Sequence, residues 1–458
     1  MKDRLFSLVC FSIAITIVVG CSTYPDEMEA VKNRLSTSGS DGVRYNIYEA
    51  KGRNKLLALQ EMGRLAQLRG NYAESAKSYA DAIAMHDAIE DKALVSVGDA
   101  LDSTLAVSYG SDVSMEYPIV GYEKMMLYVL DGFNRLAMGD HNGFGVDMRN
   151  LERCRGLVKA RIKRELDALE KKDPYLKYQQ IAQMEETDGL SDSSVDNAYA
   201  MLLLAIWREH QGDMREALAH YEDIQRVAPG NKTVAIGIEN CKRNETAGRR
   251  ATGEVVVFME EGFAPVKSIK RGRPEGSSLY MTIPDYTDAN CLPYEEGDSL
   301  VICEGTNVVG VSSILVDLGT LARKAHKERL RGIVARKNLT AGIKTTIIEI
   351  NNGINSCISF NPIGEALLLI GGTFTAITAN LASLTDEQPD LRSWLLLPRQ
   401  VQAARFSLPA GKHDLKLYTH EAKASIHVDV CVGDKTIVYC TTLPDGMKCF
   451  SRSLDVKE

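Results

Sequence analysis

Apolar and polar positions change their spacing several times along this 458-residue chain, and each change marks a different kind of element. Leu5 to Gly20 is a short, nearly unbroken apolar run behind Lys2 and Arg4. Residues 22–45 hold Pro25, the polar run Ser36 to Gly42 and little periodicity, so they read as a flexible tether. From about 46 to 245 the apolar residues recur at helical spacing. Glu254 to Met259 then reads as a short strand, and Leu279 to Pro284 and Ser299 to Cys303 follow in the same style. Helical spacing returns at about 315–350, with Leu318, Leu321, Ala322 and Ala325 on one face, and at 363–384 in a more apolar form. From Val401 the chain is strand-like again: Val401 to Leu408, Asp414 to Tyr418, Ser425 to Val432 and Thr436 to Thr441. Pro409-Ala410-Gly411-Lys412 and Val432-Gly433-Asp434-Lys435 are turn sequences between those runs.

Within the helical stretch, Met62-Gly63, Gly70-Asn71-Tyr72, Tyr79 and Ala82 resemble a tetratricopeptide hairpin. Gly63 lets two helices approach, Gly70 makes the turn, and Tyr72 and Tyr79 fill the gap between them. Residues 197–230 repeat the logic with Leu204-Ala205, Gly212-Asp213, Ala217, Tyr221 and a terminating Pro229. A more divergent version lies between: a helix from Tyr122 to Met138, a turn at Gly139-Asp140, and a long charged helix from Val146 to Leu169.

The N-terminus adds an address. A basic start, an apolar run too short for a comfortable span, and small Gly20 before Cys21 have the layout of a secretory signal. Val18-Val19-Gly20-Cys21 resembles the lipobox of bacterial lipoproteins, in which cleavage precedes an acylated cysteine. That resemblance implies membrane attachment through acyl chains on Cys21. Ser22, rather than aspartate, follows it, which resembles an outer-membrane address. The expected organisation is therefore α+β and multi-domain. Residues 1–20 are a signal peptide, 21–45 a lipidated tether and 46–247 a tetratricopeptide-like helical array. Residues 248–458 form a β-rich domain with two inserted helices, its final β module at about 400–446.

Net charge is −7, and Lys2, Asp3 and Arg4 contribute +1, leaving −8 after the leader. That mild acidity argues against nucleic acid as a partner. Eight cysteines remain once Cys10 and Cys21 are set aside. Cys291 with Cys303, or a pairing among Cys431, Cys440 and Cys449, would be local disulfides in an exported chain; buried free thiols are the alternative.

Chemistry is sparse. The eight histidines make no zinc-type spacing, and His413, His420 and His427 are separated by turns. No nucleophile elbow or phosphate loop is present. No cofactor, no metal and no catalytic activity are expected. Glu260-Glu261 and Glu295-Glu296 read as solvated loops. Lys267, Lys270, Arg271 and Arg273 form a basic loop, and Arg323 to Lys337 is a basic helix. Both are candidates for anionic lipid or wall polymer, against the plainer reading of a solvated face. Residues 363–384 could span a bilayer by length, but Glu365, Asn380 and Gly371-Gly372 favour a core or interfacial helix.

Four segments resemble an uncharacterised family of bacterial envelope lipoproteins with tetratricopeptide-like helices and a β-rich C-terminal part. They are Tyr122-Glu123-Lys124, Glu261 to Lys267, Lys324 to Arg336, and Asp390 to Trp394 with Leu397-Pro398 and Leu408 to His413. That family has no assigned reaction; the lipid anchor and the repeat array, which presents a concave groove as solenoids do, are read as an envelope adaptor whose helical array binds another envelope protein. A glycan- or peptidoglycan-binding module using the β part is the alternative, with wall polymer as ligand. Tyr72, Tyr79, Tyr122, Tyr221, Arg392 and Trp394 are the candidate structural or contact residues. Trp394 is expected to pack between the apolar helix and the final sheet.

Overall fold

The computed structural model describes residues 24–38, 43, 52–96, 117, 120–172, 194–243, 251–272, 281–286, 299–330, 389–443 and 445–455. The helices that precede the sheets are α1 (Tyr24–Ser38), α2 (Lys55–Leu68), α3 (Tyr72–Ser96), α4 (Gly121–Met138), α5 (His141–Lys172), α6 (Ala198–His210), α7 (Met214–Val227) and α8 (Lys232–Arg243).

Three of the helix pairs are copies of one hairpin. A small residue is followed seven positions later by a turn glycine and sixteen later by a large side chain. The sets are Gly63, Gly70 and Tyr79; Gly132, Gly139 and Met148; Ala205, Gly212 and Tyr221. The turn glycines have φ of 79°, 76° and 79°, a left-handed conformation that a Cβ opposes. Each ends its helix with the same bonds: Gly70 N to Gln67 O with Asn71 N to Ala66 O, Gly139 N to Leu136 O with Asp140 N to Arg135 O, and Gly212 N to Glu209 O with Asp213 N to Arg208 O. The middle pair, divergent in sequence, is therefore equivalent to the others in geometry.

The small residues are where helices touch. A Cβ on Gly63 would lie 2.4 Å from the Tyr79 ring, and one on Gly237 of α8 would lie 2.3 Å from the Tyr221 ring. Gly63→Ala should lower stability by about 1–3 kcal/mol, because the fully buried tyrosine has nowhere to move. A thermal melt reads this, and an unchanged melting temperature would refute the tight hairpin.

The strands are β1 (Thr252–Glu261), β2 (Ser268–Gly272), β3 (Met281–Asp285), β4 (Val301–Glu304), β5 (Asn307–Val311), β6 (Ser313–Asp317), β7 (Gln400–Pro409), β8 (Gly411–Tyr418), β9 (Lys423–Val430), β10 (Lys435–Leu443) and β11 (Gly446–Ser453). A helix at 318–330, α9, follows β6. One sheet has the order β11-β10-β1-β7-β6, a second has β5-β4-β8-β9, and β2 pairs with β3. β1 runs parallel to β10 and antiparallel to β7.

The result is three layers: helices, the five-stranded sheet, then the four-stranded sheet. β1 lies at the centre, so its run Val255 to Met259 is apolar on both faces. Val256 and Phe258 join the core shared with Phe133, Tyr199 and Trp394, whereas Val255, Val257 and Met259 pack on Ile302, Leu415, Leu417 and Val428. The boundary expected at residue 247 is thus a change of layer within one shared core, not a gap between two cores. The final module likewise extends to Ser453 and takes β1 as an internal strand.

The expected tether is the clearest correction. Residues 24–38 form helix α1, with Met28, Val31 and Leu35 buried against Leu65, Leu68, Leu395, Leu396 and Leu443. Spacings of three and four put these side chains on one stripe, which outweighs the polar residues around them. Lys32 Nζ donates to Ala264 O at 2.8 Å.

Glu61 fastens both ends of this contact. Its carboxylate accepts from the Tyr24 hydroxyl at 2.6 Å and from the backbone N–H groups of Leu395 at 2.7 Å and Leu396 at 3.1 Å. Complete burial outweighs these bonds and pushes its carboxyl up to about 7. A raised acid binds its proton more tightly in the folded state. Its contribution is therefore full below the unfolded value near 4.5 and is lost as pH rises through about 7. Relative to Glu61→Gln, the wild type should lose about 3 kcal/mol between pH 4.5 and pH 7.5. Paired denaturation curves across that range test this; parallel pH profiles for the two proteins would refute it.

Candidate functional site

Charge is buried where the helical layer meets the sheet. Arg64 of α2 reaches Glu260 of β1, Nη2 to Oε2 at 2.6 Å, and also donates to Gln67 at 2.7 Å, the Tyr439 hydroxyl at 3.0 Å and Leu396 O at 3.2 Å. Glu260 accepts further bonds from the Tyr199 hydroxyl at 2.8 Å and the Tyr439 hydroxyl at 2.7 Å. Glu260 and Glu261, expected in a solvated loop, are both buried on β1. Their burial follows from β1 being the central strand, which a local reading of two acids before a glycine misses.

A second cluster centres on Arg405 of β7. Its guanidinium bonds Glu209 of α6 through two N–H groups at 3.0 and 2.7 Å, and Tyr221 of α7 at 2.8 Å. It also bonds Glu254 of β1, with Nε to Oε1 at 3.2 Å. Lys435 of β10 pairs with Glu209 and Glu254. Burial pushes Glu254 up, but Arg405 and Lys435 pull harder and hold its carboxyl at about 2. Neither arginine cluster is announced by a motif; the signal is only a charged residue inside an otherwise apolar period.

The third cluster gathers several expected site residues. Arg392 donates to Asp390 at 2.7 Å and to Asn54 at 2.6 Å. Lys267 Nζ donates to Arg392 O at 2.6 Å, and burial pushes its ammonium down to about 8. Glu123 accepts from the Tyr117 hydroxyl at 2.9 Å and from Trp394 N at 3.2 Å. Burial likewise pushes His326 of α9 down to about 4, beside Tyr286 at a ring separation of 5.7 Å. Perturbed groups of this kind attract a functional reading. Here Arg392, Lys267 and Glu123 are each bonded to protein atoms that fix residues 390–394, which suits a structural staple.

Trp394 is fully buried edge-to-face on Tyr79 at 5.9 Å, so it seats on the first helical hairpin. The helix expected at 363–384 lies outside the described residues, as does Cys21. Tyr79, Tyr122, Tyr221 and Arg392 are buried in the core, and Tyr72 packs half-buried on Phe450 at 5.5 Å. Of the basic loop, Lys267 is buried, Lys270 and Arg271 are exposed, and Arg273 lies outside the described residues.

Two surface features remain. His210, Asp434 and Asp455 offer ligand atoms within 4.8 Å of one another. Asp434 is already bonded to Lys435 N at 2.6 Å and to the Ser453 hydroxyl, so it organises the turn before β10. On the outer side of α5, Val146 is 46% and Leu157 is 54% exposed. Eleven residues apart, they share a stripe with exposed Arg149 and Arg153. Among the described residues no helix is long and apolar enough to cross a membrane. No family model matches this chain, and no curated protein or solved structure is significantly similar to it.

Proposed function

We propose that this chain is a lipid-anchored cell-envelope protein that acts by binding another envelope protein, without turnover. The observation that carries the reading is the N-terminal order: Lys2 and Arg4, an apolar run, Val18-Val19-Gly20-Cys21, and then a packed helix from Tyr24. Ser22 and Thr23 alone separate the acylation site from α1, so the anchor reaches about 11 Å at full extension. The body then sits against the bilayer, and its partner must work close to the membrane.

The inner side of the helical layer is occupied by the chain's own sheet. The partner therefore meets the outer side, and the α5 stripe supports that placement with two exposed apolar side chains beside two arginines. The competing glycan reading needs an aromatic platform. Among the described residues of the outer sheet face, Tyr418 is the one such ring, 39% exposed.

Labelling with a fatty-acid analogue should mark the wild type and spare Cys21→Ser. A photo-crosslinker at Arg153, exposed on the same stripe, should capture an envelope protein in intact cells, and Val146→Glu with Leu157→Glu added to that protein should abolish capture while leaving the melting temperature unchanged. Equal labelling of both proteins would end the lipoprotein reading, and capture that survives the double variant would end the α5 assignment.

A further inference from the structure

Cys440 and Cys449 stand directly opposite each other on β10 and β11. The strands are joined by residues 444 and 445, with Leu443 opposite Gly446. The pair that closes a two-residue hairpin loop is hydrogen-bonded, and non-bonded and bonded pairs then alternate. Thr442 with Met447 is thus non-bonded, Thr441 with Lys448 bonded, and Cys440 with Cys449 non-bonded. Non-bonded partners lie about 4.5 Å apart at Cα, within the roughly 4.4–6.8 Å that a disulfide spans.

Both side chains face the space between the two sheets. Cys440 is fully buried with Val438 and Leu417, and Cys449 packs half-buried against the same cluster. Both are thiols in this structure. The other described cysteines are badly placed to compete. Cys431 precedes β10, and Cys440 lies five residues beyond the strand's first residue, about 17 Å along at ~3.4 Å per residue. Cys303 is on β4 opposite Lys416, and Cys154 and Cys241 belong to α5 and α8.

We propose that Cys440 and Cys449 form a cross-strand disulfide when the chain meets a thiol–disulfide oxidant, with Cys449 attacking first and Cys440 resolving. In the first step the Cys449 thiolate attacks one sulfur of the oxidant's disulfide, and the other sulfur leaves as a thiolate. In the second, the Cys440 thiolate attacks Cys449 Sγ and expels the remaining oxidant thiolate. Two protein thiols lose two protons and two electrons, and the oxidant's disulfide becomes two thiols. The order follows from access: an oxidant reaches half-buried Cys449 and not Cys440. Burial and the adjacent Cys449 also push the Cys440 thiol well above its ordinary value, which makes it a poor first nucleophile.

The bond would tie an edge strand that grips the helices. β11 carries Phe450 against Tyr72, and Arg452, which donates to Leu136 O and Ala137 O at 3.0 Å each. Its formation in cells rests on the envelope location proposed above; its chemistry does not.

The test uses the purified full-length chain, reduced and then held in a mixture of oxidised and reduced glutathione. Free thiols are alkylated and tryptic peptides weighed. Cleavage after Lys448 separates the two cysteines, so a linked peptide pair reports the bond. The wild type should give that pair. Cys440→Ser should retain glutathione on Cys449, and Cys449→Ser should leave Cys440 alkylatable only after unfolding. A wild type whose Cys440 and Cys449 both remain free, or whose Cys449 links to Cys431, overturns the proposal without recourse to either variant. Glutathione on Cys440 in the Cys449→Ser protein overturns the order of attack. A linked pair in the glutathione mixture with free thiols in intact cells supports the chemistry and counts against the envelope location.

Discussion

Deleting residues 24–38 should destabilise the folded body by about 5–9 kcal/mol, the cost of withdrawing three buried side chains at about 1.5–3 kcal/mol each. Met28, Val31 and Leu35 would leave, and Leu395, Leu396, Leu65, Leu68 and Leu443 would face water. Loss of Tyr24 would also leave Glu61, among the described residues, with its two backbone donors. A chain of ordinary stability does not survive losses of that size, so the deleted protein should unfold or aggregate at room temperature. Leu35→Ala gives a graded version, with an expected loss of about 2–5 kcal/mol. Circular dichroism melts measure both. A tether would behave oppositely: its deletion would leave the melting temperature where it was, and that result would remove α1 from the fold.

Arg405→Met should cost about 3–5 kcal/mol, because it leaves buried Glu209 and half-buried Glu254 with Lys435 as their remaining cationic partner. The loss comes from stranded charge, so neutralising the carboxylates should restore much of it. Arg405→Met combined with Glu209→Gln and Glu254→Gln should recover more than half of the stability. Arg405→Lys should not, since a single ammonium cannot fork between two carboxylates and the Tyr221 hydroxyl. If the triple variant is no more stable than Arg405→Met, packing rather than charge governs the site. Wild-type stability should also fall as pH drops from about 4.5 towards 2, where Glu254 takes up its proton in the folded state. Because the cluster joins α6 and α7 to β1, β7 and β10, the helices and the sheet should melt in one transition.

Local rules made much of this fold legible in the chain itself. The turn glycines at 70, 139 and 212 need no tertiary information, since a left-handed turn excludes most other residues. Gly63 beside Tyr79 follows from the same logic, as only a missing Cβ leaves room for the ring. The strands after residue 400 follow from period-two patterning and turn chemistry, with ends shifted by at most three residues. β11 was not apparent, because Met447-Lys448-Cys449-Phe450 lacks a clean alternation and is a strand only through its pairing with β10.

What the sequence could not decide was which surfaces meet. Glu260 looks like a loop acid until β1 lies between β7 and β10 with helices above it. Nothing in the sequence singles out Arg64, whose guanidinium is taken by Glu260, some two hundred residues away. The short stripe of Met28, Val31 and Leu35 is too weak to mark a helix among polar residues, and its docking depends on a groove built from residues near 65, 395 and 443. Burial of a charge or a weakly apolar helix is a property of the assembled layers, because its free energy depends on partners supplied from elsewhere in the chain. Periodicity and turn residues marked most of the elements, α1 and β11 excepted; only their packing determined that the helices close over the chain's own sheet.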